Sequence, residues 1–271
     1  MDVLTDLSDD ALARAAEENQ WEVSRRVADL PDGEVHDDPD LFWHSSGIPV
    51  AFLNGVLRAR FDADDVDARI ERALDPFRSR GVPATWVVGP ASTPADLGRR
   101  LIEHGLTPDE VTPAMACDLA ALPGAADLAA ELEVRPVEDE ATLETFLEVS
   151  AAAYGAEPPM VDAIRQWYRA LGLGRPELVR VYVAYRDGEA AGGASVFYGA
   201  GVVGLYGVGT APEVRGRGVG RAVSLVPLLD ARERGYRAGV LTTSEMGMSV
   251  YRRLGFREVC SLDQYAFSPS G

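Results

Sequence analysis

The residues best suited to chemistry are gathered in one stretch, Leu205-Tyr206-Gly207-Val208-Gly209-Thr210-Ala211-Pro212-Glu213-Val214-Arg215-Gly216-Arg217-Gly218-Val219-Gly220-Arg221. An apolar strand runs to a turn at Pro212 and then into the start of a helix. Glycines at such a junction let backbone approach a ligand with no Cβ in the way. The first amides of a helix have no internal acceptor, and the helix dipole adds positive character, so together they hold an anion. Arg215, Arg217 and Arg221 add cations. The chemistry indicated is phosphate or pyrophosphate binding. A dinucleotide fingerprint GxGxxG is excluded, because Arg221 stands where the third glycine would fall. A P-loop is excluded because the stretch lacks its terminal Lys-Ser/Thr.

The elements that must position this loop follow from periodicity. In the second half, 132–137 reads as a strand and 138–154 and 160–171 as helices. Residues 181–185 and 193–198 form a hairpin through Asp187-Gly188, a two-residue turn signal. A third strand covers 202–210, and the helix after the loop runs to about Arg234, with Pro227 predicted to bend it. A buried strand at 240–243, a helix begun at Ser244 and stopped at Gly255, and a strand at 256–267 complete this half. The first half reads as a helix over 9–30, a break over 31–40, strands at 41–44 and 52–57, a helix over 62–80, a strand at 84–88, a helix over 95–104 and a strand at 114–119. Both halves end on strand, long helix, short buried strand, helix stopped by glycine, strand. Leu101-Ile102-Glu103-His104-Gly105-Leu106 falls where Tyr251-Arg252-Arg253-Leu254-Gly255-Phe256 falls in the other half, which points to a diverged internal duplication. Pro123-Gly124 marks the linker, giving domains over 1–122 and 131–271 and an α/β chain with mixed sheets.

Of the 271 residues, 46% are hydrophobic, enough for a sizeable core, and no apolar run is long enough to span a bilayer. The acidic start does not resemble a signal peptide, and a cytoplasmic protein is expected. A net charge of −17 disfavours nucleic acid and suits a cationic substrate. The two cysteines and three scattered histidines offer no metal-ligand spacing, so no metal is expected. There is no lysine, which rules out regulation by lysine autoacetylation.

With Arg215, Gly218 and Gly220 spaced as Gln/Arg-x-x-Gly-x-Gly/Ala after a strand, and Val250-Tyr251-Arg252-Arg253-Leu254-Gly255-Phe256 similar to a Leu-Tyr-x-x-Leu-Gly-Phe helix end, the sequence resembles the GNAT superfamily of acyl-CoA-dependent N-acetyltransferases. The resemblance covers 132–271 well and implies the GNAT fold there, with acetyl-CoA as acyl donor. It implies that the strand carrying Val208, Gly209 and Thr210 splays from its parallel neighbour to pair with pantetheine. The amides of Gly216, Arg217, Gly218, Val219, Gly220 and Arg221, with Arg215 beside them, would cradle the pyrophosphate. A backbone donor near Val208 would polarise the thioester. Tyr251 matches the tyrosine that protonates the departing thiolate, and Ser244 stands at a cofactor-contacting position that a helix cap would equally explain. The carboxylate that some relatives carry before the loop is missing from Val203-Gly204-Leu205-Tyr206, which leaves water, Glu245 or another residue as base.

The first half has carboxylates, Asp62, Asp64 and Asp65, where phosphate would bind, and no loop glycines. It resembles the degenerate copy of a tandem GNAT protein. The expected activity is acetylation of a small-molecule amine by direct attack, in a monomer or homodimer, with Tyr154, Trp167, Tyr198 and Tyr206 as candidate pocket residues. An acyl-CoA-binding sensor without turnover and a protein N-acetyltransferase are the alternatives.

Overall fold

The computed structural model describes residues 2–171, 173 and 175–269; the side chains of Glu110, Asp127, Glu245 and Met246 lie outside that description. Seven α-helices and eleven strands alternate along the described chain. They gather into two compact units, and neither unit is simply one half of the sequence. Residues up to Asn19 join Ala114–Val259 in the loop unit, and Gln20–Pro113 joins the segment from Cys260 onward in the companion unit.

In the first half, the predicted long helix is α1 (Asp9–Ser24) followed by a 3₁₀ segment, Arg25–Asp29. The predicted break over 31–40 contains β1 (Glu34–Asp38), which pairs antiparallel with β2 (Leu41–Ser45). Its sequence, EVHDD, is largely exposed and carries no alternation of apolar residues for a reader to find. A short 3₁₀ turn leads to β3 (Asn54–Leu57), then come α2 (Val66–Arg80), β4 (Ala84–Val88), α3 (Leu97–Glu103) and β5 (Thr107–Asp118). The second half contains β6 (Leu132–Pro136), α4 (Glu140–Tyr154), α5 (Pro158–Ala170), β7 (Val179–Arg186), β8 (Glu189–Gly199) and β9 (Val202–Thr210). It ends with α6 (Val219–Glu233), β10 (Ala238–Thr242), α7 (Glu245–Arg253) and β11 (Arg257–Phe267).

The loop unit has the strand order β5-β10-β9-β8-β7-β6, with β10 parallel to β9 and the other pairs antiparallel. One sheet face packs on α6 through Tyr182, Ala194, Val196, Leu205, Val223 and Leu228, all almost fully buried. Truncating Leu228 to alanine there would cost about 2–5 kcal/mol. On the other face Phe146 of α4 meets Gly193, where an added Cβ would come within 2.6 Å of the ring. Helix α6 continues through Pro227, so the proline removes one donor without ending the helix.

The companion unit repeats the β–α–β–α order: β3 and β4 are parallel, as β9 and β10 are, and α2 and α3 correspond to α6 and α7. Matching left-handed glycines follow the helices, Gly81 and Gly105 in one half, Gly235 and Gly255 in the other. The last strands are exchanged. β5, from the first half, pairs with β10 of the loop unit, while β11, from the second half, pairs with β4 of the companion unit.

Candidate functional site

The site is built on β9. Its parallel pairing with β10 is limited to Val203 with Gly239 and Gly204 with Val240. β9 runs on to Thr210, still paired to β8 at Gly192. Two strands that share a start and then part leave a wedge between them. Within that wedge β9 bulges: Gly193 pairs with Gly209 and Ser195 with Tyr206, so Gly207 and Val208 together face the one residue Ala194. Gly207 has φ +59°, a left-handed value that favours glycine. A bulge takes one residue's backbone groups out of the ladder. Here the Val208 carbonyl accepts a hydrogen bond from the Tyr154 hydroxyl at 2.8 Å.

Beyond the bulge, a 3₁₀ turn at Pro212–Val214 leads to Gly216 (φ +74°) and Gly218 (φ +84°), the N-cap of α6. No side chain caps this helix. An added Cβ at Gly216 would meet nothing within 4 Å, so this loop is exposed backbone with room for a ligand. Gly192 lets the first turn of α6 sit against β8, since a Cβ there would come within 2.7 Å of Val219 Cγ1. Arg215, expected beside the pyrophosphate, has its guanidinium turned to protein: it donates to the carbonyls of Ala153 at 2.8 Å and Thr210 at 3.3 Å. It therefore ties the loop to the end of α4. Arg217 is exposed, and Gly220 and Arg221 are half-buried in the first turn of α6.

Tyr251 lies on α7 with only 8% of its surface exposed. Its hydroxyl is hydrogen-bonded to Ser224 on α6, and Ser224 Oγ in turn donates to the Gly220 carbonyl at 2.7 Å. Burial pushes the phenol up to about 12, with the Ser224 bond pulling the other way and nearby Tyr154 adding to the rise. Ser244 occupies the N-cap of α7 without a capping bond from its side chain. Glu245, considered as a base, has its side chain outside the described residues.

Of the aromatic candidates, Tyr198 belongs to the core, tilted against Tyr236 with centroids 5.1 Å apart. Tyr154 and Tyr206 flank the bulge. Two participants escaped the sequence reading. Tyr168 of α5, buried and pushed up to about 12 by that burial, donates to Ser195 Oγ at 2.9 Å and stands 3.5 Å from where a Cβ on Gly207 would lie. Asn19 of α1 accepts from the Tyr206 hydroxyl at 2.6 Å. The only sequence trace of Asn19 was an amide in register with the small apolar stripe Leu12, Ala15, Ala16.

Among its described residues the companion unit shows no comparable wedge. After β3 the chain bends back to Thr93: the Phe61 amide donates to the Thr93 carbonyl at 3.1 Å and the Thr93 amide to that of Ala59 at 3.0 Å. Its β4–α3 connection thus fills the opening with the protein's own backbone. Among the described residues no group of three His, Cys, Asp or Glu side chains could hold a metal, and no helix is long and apolar enough to cross a membrane.

Comparison with known proteins bears on this geometry. Residues 124–247 match the family model described as "Acetyltransferase (GNAT) domain". No curated protein matches the sequence. Among solved structures, the chain is similar to a GCN5-related N-acetyltransferase from Kribbella flavida, at 20% identity over 96% of both chains with a TM-score of 0.73. It is similar to another from Sphaerobacter thermophilus, at 19% identity over 87% of this chain and 76% of that one, TM-score 0.64. A tandem GNAT protein from the clavulanic acid biosynthesis pathway matches at 15% identity over 100% of this chain and 98% of its own, TM-score 0.60. At these identities the likeness is one of fold.

Proposed function

We propose that the chain, whose residues 124–247 match a GNAT acetyltransferase domain, transfers the acetyl group of acetyl-CoA to the amine of a small molecule by direct attack. The observation that carries this reading is the convergence of the uncapped glycine loop of α6, the bulge at Gly207–Val208 and the Tyr251 hydroxyl on one wedge in one sheet. The residues fit the donor. Exposed left-handed glycines and free space at Gly216 suit a pyrophosphate, and the β10-facing edge of β9, which β10 leaves unpaired from Leu205 to Thr210, suits an extended amide chain.

Acyl-CoA supplies the activated thioester; the protein supplies orientation and hydrogen bonds. We assign the amides of 216–221 to the pyrophosphate and the Val208 amide to the oxygen that gains charge as the amine attacks. Tyr154 holds the next carbonyl, so this peptide segment stays fixed. Tyr251 keeps its proton throughout the physiological range and donates to the sulfur as the carbon–sulfur bond breaks. The amine must lose a proton to become nucleophilic, and β9 carries no carboxylate to take it. Water or a residue off β9 takes that proton, and the net charge of −17 raises the local concentration of the ammonium precursor. Orientation of two bound reactants provides much of the rate. The first half is the degenerate copy: the backbone of Thr93 fills the opening that pantetheine would need.

The test is release of coenzyme A thiol from acetyl-CoA across a panel of small amines and lysine peptides, wild type beside Gly218→Glu. Amine-dependent release that disappears in Gly218→Glu supports the reading. Binding of acetyl-CoA without turnover of any acceptor makes the protein a sensor. Neither turnover nor an acetyl-CoA-induced thermal shift overturns the assignment of the loop.

A further inference from the structure

Helix α1 opens the chain, yet it packs in the loop unit rather than with the segment that follows it. Its buried stripe, Leu12, Ala15, Ala16 and Asn19, is one leucine, two alanines and one amide. Asn19 is 0% exposed. An amide in such a place is costly unless its donors and acceptor are used. Asn19 Nδ2 donates to the Gly199 carbonyl at 2.9 Å and reaches that of Phe197 at 3.5 Å, and Oδ1 accepts from the Tyr206 hydroxyl. The approach is possible because residue 204 is glycine: a Cβ there would overlap Asn19 Oδ1 and come within 2.5 Å of the Tyr206 ring.

Tyr206 is the residue immediately before the bulge. Its backbone carbonyl accepts from Ser195 Oγ at 3.4 Å, and Ser195 is itself held by Tyr168. The residue is thus fixed at both ends, by Ser195 at the main chain and by Asn19 at the phenol. Its ring is only half-buried and the next residue, Gly207, is exposed. A purely structural amide would be satisfied by strand carbonyls. This one also uses its acceptor on a partly open phenol beside the acyl-transfer bulge.

We propose that Tyr206 contacts the acceptor amine's carrier and that Asn19, supplied by the start of the chain, is a positioning residue holding that ring in place. This rests on the acetyltransferase reading above. It gives α1 a role in the reaction: the acceptor side of the site is completed by a segment lying more than a hundred residues before the family-matched region.

Two substitutions separate positioning from stability. Tyr206→Phe removes one hydroxyl and keeps the ring. It orphans Asn19 Oδ1 and so should lower Tm modestly, while leaving the KM for acetyl-CoA near wild type and raising the KM for the amine about tenfold. Asn19→Asp keeps an acceptor for the phenol but takes the donor from Gly199 and Phe197 and buries a carboxylate. It should lower Tm more than Tyr206→Phe does and leave the amine KM within about threefold of wild type. An amine KM in Tyr206→Phe within twofold of wild type overturns the proposal, as does a series in which kinetic loss simply follows Tm. If wild type binds acetyl-CoA but turns over no amine, the acetyltransferase reading falls first and this proposal with it.

Discussion

Replacing Tyr251 with phenylalanine probes the chemistry most directly, and the buried phenol sets its size. With the hydroxyl pushed up to about 12 and a thiol near 8.5, complete transfer of the proton to a free thiolate would be uphill by about 5 kcal/mol, at roughly 1.36 kcal/mol per pH unit. On the proposed mechanism the hydroxyl would act chiefly by donating a hydrogen bond to sulfur as charge develops, completing the transfer only as the amine releases its own proton. Loss of such a donor belongs at the low end of the range for general acids, about 10²-fold in kcat, or about 2.7 kcal/mol. The KM for acetyl-CoA should hardly change, since a ground-state thioester sulfur is a weak acceptor. Between pH 6 and 10 the two kcat profiles should be parallel, because Tyr251 stays protonated throughout and only the amine titrates. Above that range the signs are fixed as well. The folded phenol lies above its unfolded value of about 10, so the fold binds the extra proton between the two. Its contribution to stability is complete below pH 10 and is lost as the pH climbs toward 12. Tyr251→Phe should be less sensitive to alkali in thermal unfolding. The reasoning fails if Tyr251→Phe keeps more than a third of wild-type kcat, or if wild type shows a basic limb below pH 10 that the variant lacks.

Two glycines should respond for different reasons: Gly216→Ala has free space but a φ of +74° and should cost about 1–2 kcal/mol. Gly204→Ala drives a methyl into Asn19 and Tyr206 and should cost about 2–6 kcal/mol through overpacking and an orphaned amide, measured by denaturant unfolding. His44, buried and lowered to about 4 chiefly by that burial, is neutral in the fold. Its contribution is present above about pH 6.5 and lost as pH falls through 4, so wild type should lose about 3 kcal/mol relative to His44→Phe over that window. Parallel acid-unfolding curves for the two proteins would refute the assignment.

The glycine loop opening α6 was legible because its constraint is local: the turn into the helix takes left-handed φ at Gly216 and Gly218, and those glycines stand close together in sequence. The hairpin at Asp187-Gly188 was legible for the same reason, both residues having positive φ. The wedge was expected only through the resemblance, because where β9 and β10 part depends on partners 36 residues away. Arg215 was read as a cation for phosphate, yet its first partner is the end of α4, and charge alone does not tell a ligand from a carbonyl. Asn19 was missed because one amide on an alanine-rich stripe looks like surface until the sheet beneath it is known. The missing amide at Pro227 does not end α6, which runs from Val219 to Glu233 with buried residues on either side of it.

The exchange of β5 and β11 makes the two halves mutually dependent. A chain cleaved near Pro123-Gly124 would yield two fragments, each holding the strand that completes the other's sheet. Neither should be obtained folded alone, and co-expression should recover both. The match over 124–247 ends before β11 begins, so trimming the gene to that segment would discard nothing that pairs with β10 from its own side, and would still remove the strand that β10 pairs with, because that strand is encoded upstream. Each half therefore needs the other to complete its sheet.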